Sequence, residues 1–337
     1  MKAILINAPQ DISLREVPTP QRAANEVVIK VHGMGICGSD IGAYKGINPL
    51  VTYPRIIGHE IAGEVLEAPR SDTTLKPGDR VVIEPYVYCG TCYPCRNQRT
   101  NCCENLTVRG VHIDGGMSEF CSHPHHLVHK APADVSWERL AMVEPLTISI
   151  HAVKRARLTQ GEHLAVIGAG PIGLLAAQYA RVLGAVPMVI DPIDERLALA
   201  RSLGIPFGIN PLTENAVDRI REISGGRMAE AVIEASGSDA AVRSSIDYVA
   251  YSGRIALVGW PKGDVSLTTA LFTKKELDVV GSRNSCRDFA ESIDLVANDQ
   301  IDVAALVTRT VSFEEAPAAV QEIAAHPENF MKVVALH

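Results

Sequence analysis

The sequence predicts an α/β protein that combines a mainly β N-terminal region with a doubly wound parallel sheet. The chain has 337 residues, and a typical domain has about 150, so two domains are expected. Residues 1–150 contain many short apolar runs separated by glycines and prolines, which favours a small barrel or sandwich. From residue 161 onward, apolar strands alternate with helical stretches, and this predicts a parallel sheet with helices on both faces.

The expected elements can be followed along the chain. In the N-terminal region the clearest strands are expected at 27–31, 56–57 and 80–83. The second region alternates a strand at 164–167, a helix at 171–183, a strand at 186–190, a helix at 195–203, a strand at 231–234, a helix at 239–251 and a strand at 255–258. The C-terminal part is expected to hold helices at 288–297 and 313–325, a short strand near Thr310 and a terminal strand at 331–336. We therefore expect domains at 1–150 and 151–285, followed by a C-terminal segment at 286–337.

Composition and charge exclude several classes of protein. An apolar content of 47% is enough for a sizeable core. The formal charge is −7 and the sequence has no basic block, which does not favour binding to nucleic acid or to a membrane surface. The longest apolar stretch, at 164–177, is broken by three glycines and a proline, so it is too short to cross a bilayer. The first residues lack the pattern of a cleavable export signal. A cytoplasmic protein is expected.

The cysteines are clustered in a way that indicates metal ligation. Five of the eight lie between positions 89 and 103, whereas a disulfide framework would spread them through the fold. Four thiolates can enclose one tetrahedral zinc ion and leave no position for substrate, which predicts a structural site formed by Cys89, Cys92, Cys95 and Cys103. Cys102 is adjacent to one of these ligands and is expected to be a bystander. The alternative is a set of free thiols in a loop.

A glycine motif opens the second region. Its pattern GxGxxG follows an apolar run and precedes a helical stretch, which is the context of a dinucleotide-binding turn rather than an ordinary one. Asp191 lies eighteen residues after the last glycine, where a carboxylate binds ribose hydroxyls and repels a 2′-phosphate. The sequence therefore predicts NAD rather than NADP. The candidate cofactor-binding residues are Gly168, Ala169, Gly170, Pro171, Ile172, Gly173, Asp191 and Arg196.

Three separate segments carry residues of the types that bind a catalytic zinc ion. They are Cys-Gly-Ser-Asp from Cys37, Gly-His-Glu around His59, and Glu-Pro at Glu144. A thiolate, an imidazole and a carboxylate can together bind zinc and leave one position open. Each is weak alone, because a single histidine is more often a core residue and a single glutamate a solvated charge.

The order of these motifs resembles that of the zinc-dependent medium-chain dehydrogenases, and the resemblance covers essentially the whole chain. It implies a GroES-like catalytic domain with a structural zinc lobe at about 86–104, a Rossmann coenzyme domain, and a segment 286–337 that returns to the catalytic domain. It also implies an enzyme that oxidises alcohols with NAD(P), binds two zinc ions per subunit, and forms a homodimer or homotetramer.

The resemblance assigns roles to individual residues. Cys37 and His59 would bind the catalytic zinc, and Glu60 or Glu144 would complete the ligand set directly or through water. Ser39 would relay the substrate proton. Many relatives carry a histidine three residues after that serine. This chain has Gly42 there, so the proton must leave the site by another route.

Several short strings are similar to the sorbitol-type branch of the family, and especially to bacterial L-galactonate and L-gulonate 5-dehydrogenases. A sugar acid needs a cation for its carboxylate, and Arg283 is the candidate, although it would equally suit the cofactor or an ion pair in the sheet. His112 is a candidate donor to a sugar hydroxyl, or an ordinary loop histidine. Four further histidines are expected at the surface, namely His123, His125, His126 and His129.

The sequence thus indicates oxidation of an aldonate, L-gulonate or L-galactonate, to the 5-keto acid. The rival functions are a polyol dehydrogenase of sorbitol or xylitol type, an L-threonine dehydrogenase, and a non-catalytic nucleotide-binding protein.

Overall fold

The computed structural model describes residues 1–69, 75–261 and 263–337. The chain forms two compact units. The first comprises Met1–Glu144, Phe289–Asp299 and Val303–His337, and the second comprises Pro145–Asp288 and Gln300–Asp302.

The regular elements are numbered in chain order. The strands are β1 (Lys2–Ala8), β2 (Asp11–Glu16), β3 (Glu26–Ile36), β4 (Arg55–Ile56), β5 (Glu60–Glu67), β6 (Arg80–Ile83), β7 (Tyr86–Val87), β8 (Thr107–Val108), β9 (Phe120–Pro124), β10 (Val128–Lys130), β11 (His163–Ile167), β12 (Val186–Ile190), β13 (Phe207–Ile209), β14 (Ala229–Glu234), β15 (Val249–Leu257), β16 (Asp278–Gly281), β17 (Val307–Ser312) and β18 (Lys332–Leu336). The α-helices are α1 (Gly38–Tyr44), α2 (Tyr93–Arg96), α3 (Trp137–Ala141), α4 (Val143–Arg155), α5 (Pro171–Val182), α6 (Asp194–Ser202), α7 (Ala216–Ile223), α8 (Asp239–Tyr248), α9 (Ala270–Lys275), α10 (Phe289–Ala297) and α11 (Ala316–Ala325).

The first unit is built on a seven-stranded sheet. Its strand order is β10-β6-β5-β3-β18-β17, with β9 also paired to β3. β3 is long and apolar at most positions, so it can be buried at the centre of this sheet between β5 and β18. β18 comes from the C-terminus and pairs antiparallel with β3, which joins the two ends of the chain within one sheet.

A smaller three-stranded sheet, β2-β1-β4, completes the first unit together with the β7-β8 pair. Its inward side chains, such as Ile4 and Ile6, are fully buried and belong to the main apolar core of the unit. That core also contains Phe313 and Val320, which follow β17 in the chain. The C-terminal segment is therefore part of the first unit's core.

The second unit is a six-stranded parallel sheet with strand order β13-β12-β11-β14-β15-β16. The order reverses between β11 and β14, and in sheets of this kind ligands bind at the carboxyl ends of the strands near that point. The glycine motif lies between β11 and α5, at this end of the sheet. The predicted α/β class, with a doubly wound parallel sheet, is confirmed.

Several elements differ from the sequence-based expectation, among them the end of α8 and the presence of α4. The helix expected at 239–251 ends at Tyr248, because Val249 already begins β15, which continues to Leu257. α4 has no counterpart among the expected elements, because the pattern of residues 1–150 predicts a mainly β region. The charged residues at its ends are those that favour a helix: the acidic Glu144 lies in the first turn and the basic Lys154 in the last, and each complements the helix dipole.

The histidine group was also misjudged at one position. His123 lies on β9 and is fully buried, although a surface position was expected. Arg109 donates from Nε to its Nδ1 at 3.1 Å, so Nε2 carries the proton and donates to the Glu84 carbonyl oxygen at 2.8 Å.

Within the part of the chain that the structure describes, every helix is too short or too polar to span a membrane.

Candidate metal centres and dinucleotide-binding turn

Cys37 is positioned by a buried carboxylate. It is the residue before α1, and its backbone amide donates to Asp40 Oδ2 at 2.9 Å. The other oxygen of Asp40 accepts from the amide of Gly58 at 3.2 Å, immediately before His59. Asp40 therefore ties the turn that carries the thiol to the turn that carries the imidazole. Its role was missed in the sequence, although it is the last residue of the Cys-Gly-Ser-Asp motif.

The structure brings Cys37, His59 and Glu60 together. Their ligand atoms all lie within 4.8 Å of one another, and the histidine and the glutamate are buried. Two buried atoms of the group, His59 Nδ1 and Glu60 Oε2, have no hydrogen-bond partner among the described residues. Buried polar atoms are normally paired, so these two indicate a missing cation. A thiolate, an imidazole and a carboxylate also match the donors of a zinc site with an open position.

The electrostatics of this group favour a cation. Burial alone would lower the pKa of His59, but the negative charges of Cys37, Asp40 and Glu144 raise that pKa well above its ordinary value. A site that attracts a proton in this way also attracts a metal ion, because both neutralise the buried negative charge.

Glu144 lies in the first turn of α4 and is almost completely buried. Its Oε1 accepts a hydrogen bond from the hydroxyl of Tyr86. Burial raises the pKa of Glu144 to about 7. Its ligand oxygen is outside the group formed by Cys37, His59 and Glu60. The geometry thus gathers Glu60, and not Glu144, with the two expected ligands.

A lysine that the sequence analysis missed contacts this group. Lys332, on β18, donates from Nζ to Glu60 Oε1 at 2.6 Å, and its side chain is 5% exposed. A lysine inside an otherwise apolar terminal strand is the one sequence feature from which this buried ion pair could have been suspected.

Ser39 lies in the first turn of α1, two residues after Cys37. Its Oγ is buried and has no hydrogen-bond partner among the described residues. A hydroxyl in this state can both donate and accept when a substrate hydroxyl approaches.

The four-cysteine cluster forms a second group. The sulfurs of Cys89, Cys92, Cys95 and Cys103 all lie within 4.8 Å of one another, and the cysteines that the structure describes form no disulfide. Backbone amides donate to these sulfurs: that of Cys92 to Cys89 Sγ at 3.4 Å, and those of Cys89 and Asn105 to Cys103 Sγ at 3.3 Å each. Amide donors from Thr91 and Cys92 lower the pKa of Cys89 to about 5. Burial raises the pKa of Cys95 to about 12, so a bound cation would be needed to hold that sulfur as a thiolate. Four sulfurs this close together fit a closed tetrahedral zinc site. Cys102 is outside this group.

The glycine motif forms the turn between β11 and α5. Gly168 has a φ of +102°, a conformation that side-chain-bearing residues rarely adopt. A Cβ at Gly173 would lie 1.9 Å from the Gly168 carbonyl oxygen, so that glycine permits close packing of the helix on the strand. A Cβ at Gly170 would meet no atom within 4 Å. The open space beside the helix N-terminus suits a pyrophosphate, whose charge the free amides would meet.

Asp191 directly follows β12 and is buried. Its Oδ2 accepts from the amide of Ala169 at 2.7 Å, and its Oδ1 accepts from the amide of Ile193 at 2.9 Å. The guanidinium of Arg196 lies 3.8 Å from Oδ2. The carboxylate thus stabilises the glycine turn from the end of β12. Pro171 and Ile172 begin α5, and the carbonyl of Ile172 accepts from Ser149 Oγ at 2.9 Å.

The two candidate substrate residues lie apart in the chain. Arg283 is exposed in the segment after β16. His112 is half-buried, and its Nδ1 accepts from the amide of Val108 at 3.0 Å. This contact favours the alternative of an ordinary loop histidine.

Comparison with known proteins identifies related sequences over the whole length. Residues 23–133 match the family model described as alcohol dehydrogenase GroES-like domain, and residues 171–298 match that of zinc-binding dehydrogenases. A zinc-type alcohol dehydrogenase-like protein of Haemophilus influenzae is 49% identical over 100% of this chain and 98% of its own. The L-galactonate-5-dehydrogenase of Escherichia coli is 38% identical over 93% of this chain and 92% of its own. The sorbitol dehydrogenase of Bacillus subtilis is 31% identical, with coverages of 99% and 96%.

Solved structures give the same relationship. An alcohol dehydrogenase of Escherichia coli CFT073, complexed with NADH, has a TM-score of 0.93 and 32% identity, and covers 100% of this chain and 99% of its own. A zinc-binding dehydrogenase of Sinorhizobium meliloti, bound to NADP, has a TM-score of 0.93 and 29% identity with the same coverages.

Proposed function

The chain belongs to the zinc-dependent medium-chain dehydrogenases, and from this premise we propose that it oxidises a secondary hydroxyl of a sugar acid. The substrates we propose are L-gulonate and L-galactonate, oxidised at C5 to the 5-keto acid with NAD⁺ as the hydride acceptor. As a member of this family the protein is an oxidoreductase, which removes the non-catalytic alternative.

The main support for a bound catalytic zinc is the proximity of three potential ligands, Cys37, His59 and Glu60. Their ligand atoms are within 4.8 Å of one another, and two of their buried atoms are otherwise unsatisfied. A zinc ion bound there supplies a Lewis acid that lowers the pKa of a substrate hydroxyl. The four-cysteine cluster would hold the second zinc, with no open position and hence a structural role.

The chain's own residues would handle the proton and the cofactor. Ser39 would accept a hydrogen bond from the substrate hydroxyl at Oγ and pass the proton on. The amides at the start of α5 would bind the pyrophosphate of NAD, and Asp191 would bind the adenosine ribose, with Arg196 beside it. The proposed preference is therefore for NAD over NADP, because the Asp191 carboxylate would repel a 2′-phosphate. Saturation binding is the measurement, and tighter binding of NADP(H) would count against the assignment of Asp191.

The sugar-acid substrate is supported by the similarity to the L-galactonate-5-dehydrogenase of Escherichia coli. Arg283 is proposed to bind the substrate carboxylate, because the residue is exposed and a guanidinium can bind both oxygens of a carboxylate. His112 is retained only as a secondary candidate for a sugar hydroxyl, since Nδ1 already accepts from a backbone amide.

A polyol dehydrogenase is the second candidate, because a sorbitol dehydrogenase is also similar over the full length. Nothing beyond family membership favours L-threonine as substrate. A polyol has no carboxylate, so the two candidates differ in whether they need a cationic anchor.

Initial rates of NAD⁺ reduction by zinc-loaded protein test the proposal. The panel contains L-gulonate, L-galactonate, sorbitol, xylitol and L-threonine at matched concentrations. We expect the highest kcat/KM with one of the two aldonates. Higher values with sorbitol or xylitol would replace the proposal with the polyol function.

Arg283→Ala tests the carboxylate anchor. Hydrogen bonds to charged groups contribute about 1.5–3 kcal/mol, so kcat/KM for aldonates is expected to fall about 10- to 100-fold. Polyol turnover should be little changed. Arg221→Ala is the matched control, because it also removes an exposed arginine from the second unit. Equal losses for aldonates and polyols would reject the anchor.

A further inference from the structure

The position of Glu60 is set by three neighbouring strands. Glu60 begins β5 and is paired with Gly35 on the adjacent strand β3. Gly35 is in turn paired with Val334 on β18, on the other side of β3. Lys332 is two residues before Val334, and side chains two apart on a strand point to the same face. Glu60 and Lys332 therefore lie on strands that flank β3.

Gly35 opens the space that lets these two side chains meet. A Cβ at this position would lie 1.8 Å from Glu60 Oε2 and 2.9 Å from Glu60 Cδ. The carboxylate thus occupies the space above the glycine, where any side chain would exclude it. From there its Oε1 accepts from Lys332 Nζ at 2.6 Å.

The two oxygens of the carboxylate are in different situations. Oε1 is bound by the lysine, whereas Oε2 is buried and has no hydrogen-bond partner among the described residues. The same carboxylate has its ligand oxygen within 4.8 Å of the donor atoms of Cys37 and His59. The side chains of Glu60 and Lys332 are 1% and 5% exposed, so water does not substitute for either partner.

We propose that Lys332 is a positioning residue of the metal centre: its ammonium group holds Oε1 of Glu60, and Oε2, which lies above Gly35, is left for the ion that Cys37 and His59 bind. By this account the lysine selects Glu60 over Glu144 as the resting carboxylate ligand. Glu144 is held differently, by the hydroxyl of Tyr86.

Formal charges support the same role. The site brings together the Cys37 thiol and the buried carboxyl groups of Asp40, Glu60 and Glu144, so it can hold more negative charge than a divalent ion balances. Lys332 adds a positive charge without occupying a coordination position. Groups that hold metal ligands in place from outside contribute about 10- to 100-fold to metal affinity.

The inference rests on the proposed function only in requiring a zinc ion at Cys37 and His59, and it makes no use of the substrate. Its test is therefore metal binding rather than turnover. Zn²⁺ affinity is measured by competition with a chelator in the full-length protein, and the zinc of the four-cysteine cluster serves as the internal reference. A failure of the aldonate proposal would appear in the substrate panel and would leave these affinities unaffected.

Four variants are compared with the wild type: Lys332→Met, Lys332→Arg, Glu60→Gln and the double variant Glu60→Gln with Lys332→Met. We expect Lys332→Met to weaken Zn²⁺ binding at the Cys37 site by about 10- to 100-fold and to leave one zinc on the cysteine cluster. Lys332→Arg keeps the charge and should restore most of the affinity. The Co²⁺-substituted protein should show a changed visible absorption spectrum in Lys332→Met, because its ligand set differs.

The double variant separates positioning from simple stabilisation of the fold. If Lys332 acts through Glu60, its loss should have no further effect on Zn²⁺ affinity once Glu60 is glutamine. A further loss in the double variant would overturn the proposal, as would a wild-type affinity and Co²⁺ spectrum in Lys332→Met. If Lys332→Met does not fold because it leaves the Glu60 carboxylate unpaired, the double variant decides, since it leaves neither charge of this buried pair unpaired. A wild-type Zn²⁺ affinity at the Cys37 site of the double variant would overturn the proposal.

Discussion

Gly35 illustrates how a residue without a side chain can shape a metal centre. Its φ is not in the left-handed region, so backbone conformation does not demand glycine. Glycine is required at this position because the carboxylate of Glu60 fills the space that a Cβ would need. Since Glu60 cannot move without leaving Lys332, the strand position and the ion pair depend on each other.

Gly35→Ala is expected to displace the Glu60 carboxylate. Overpacking of this kind costs about 1–3 kcal/mol in the free energy of unfolding, and the Cys37 site should also lose zinc. The measurements are chemical unfolding and zinc content per chain. Gly38→Ala is the control, because a Cβ there would meet no atom within 4 Å. Full zinc content and unchanged stability in Gly35→Ala would show that Glu60 has room elsewhere.

His123 gives the first unit a defined response to pH. Burial, together with the positive charge of Arg109, lowers the pKa of His123 well below its ordinary value of 6.5. The unfolded chain binds a proton there near pH 6.5 while the folded chain does not, so stability falls as pH decreases below that value. One such group contributes a slope of at most about 1.4 kcal/mol per pH unit.

His123→Gln should therefore flatten the decrease in the midpoint of thermal unfolding between pH 6.5 and 5. Its stability at pH 7 should be lower, because the hydrogen bonds to Arg109 and Glu84 are lost. The exposed His326→Gln is the control for removal of a histidine. A variant that loses stability with pH as steeply as the wild type would refute this assignment.

At the scale of single elements, the cysteine lobe is a short segment with little apolar surface of its own. Its helix α2 has four residues, and two of its four ligand cysteines are buried. Such a segment depends on a bound ion for its shape, because metal binding supplies folding free energy that packing does not.

Cys92→Ser is expected to reduce the zinc content from two ions per chain to one. Cys102→Ser should leave it at two, because Cys102 lies outside the four-sulfur group. Mass-spectrometric metal analysis of the purified variants is the measurement. Equal zinc content in the two variants would contradict the assignment of the lobe.

The glycine motif, which runs from the turn after β11 into α5, contains two glycines whose roles differ. A Cβ at Gly173 would collide with the backbone of Gly168, whereas a Cβ at Gly170 would enter open space. We expect Gly173→Ala to destabilise the protein by about 1–3 kcal/mol. Gly170→Ala should change stability by less than about 1 kcal/mol and should weaken NADH binding by about 10-fold or more, because the methyl group would meet the pyrophosphate.

Thermal unfolding and fluorescence titration with NADH measure the two effects separately. If Gly170→Ala destabilised the fold and left NADH affinity intact, the role of Gly170 in leaving space for the pyrophosphate would be contradicted.

The elements also show which features the sequence could specify. The four cysteines and the glycine motif could be predicted because their members are close in the chain and local spacing sets their geometry. Lys332 and Glu60 could not, since they are 272 positions apart in the chain and the pairing of both β5 and β18 with β3 brings them together. The burial of His123 was missed for the same reason: its partners Arg109 and Glu84 come from other segments.

At the scale of the whole molecule, we propose that the protein is a homodimer or homotetramer. β16 is the last strand of the six-stranded sheet, and an unprotected edge strand can pair with another chain. In the same unit, Trp260 is 81% exposed and Tyr251 is 63% exposed. Sedimentation velocity at micromolar concentration should give a species of at least twice the 36.2 kDa chain mass. A monomer under these conditions would refute the proposal.

The central claim is that this oxidoreductase removes a hydride from C5 of a sugar acid and transfers it to NAD⁺. The most direct measurement uses L-gulonate and L-galactonate that carry deuterium at C5, with zinc-loaded protein and NAD⁺, and analyses the products by mass spectrometry. We expect one deuterium atom in each NADH formed from at least one of the two acids, with an equimolar amount of 5-keto acid. Unlabelled NADH, or no NADH from either acid, would contradict the claim.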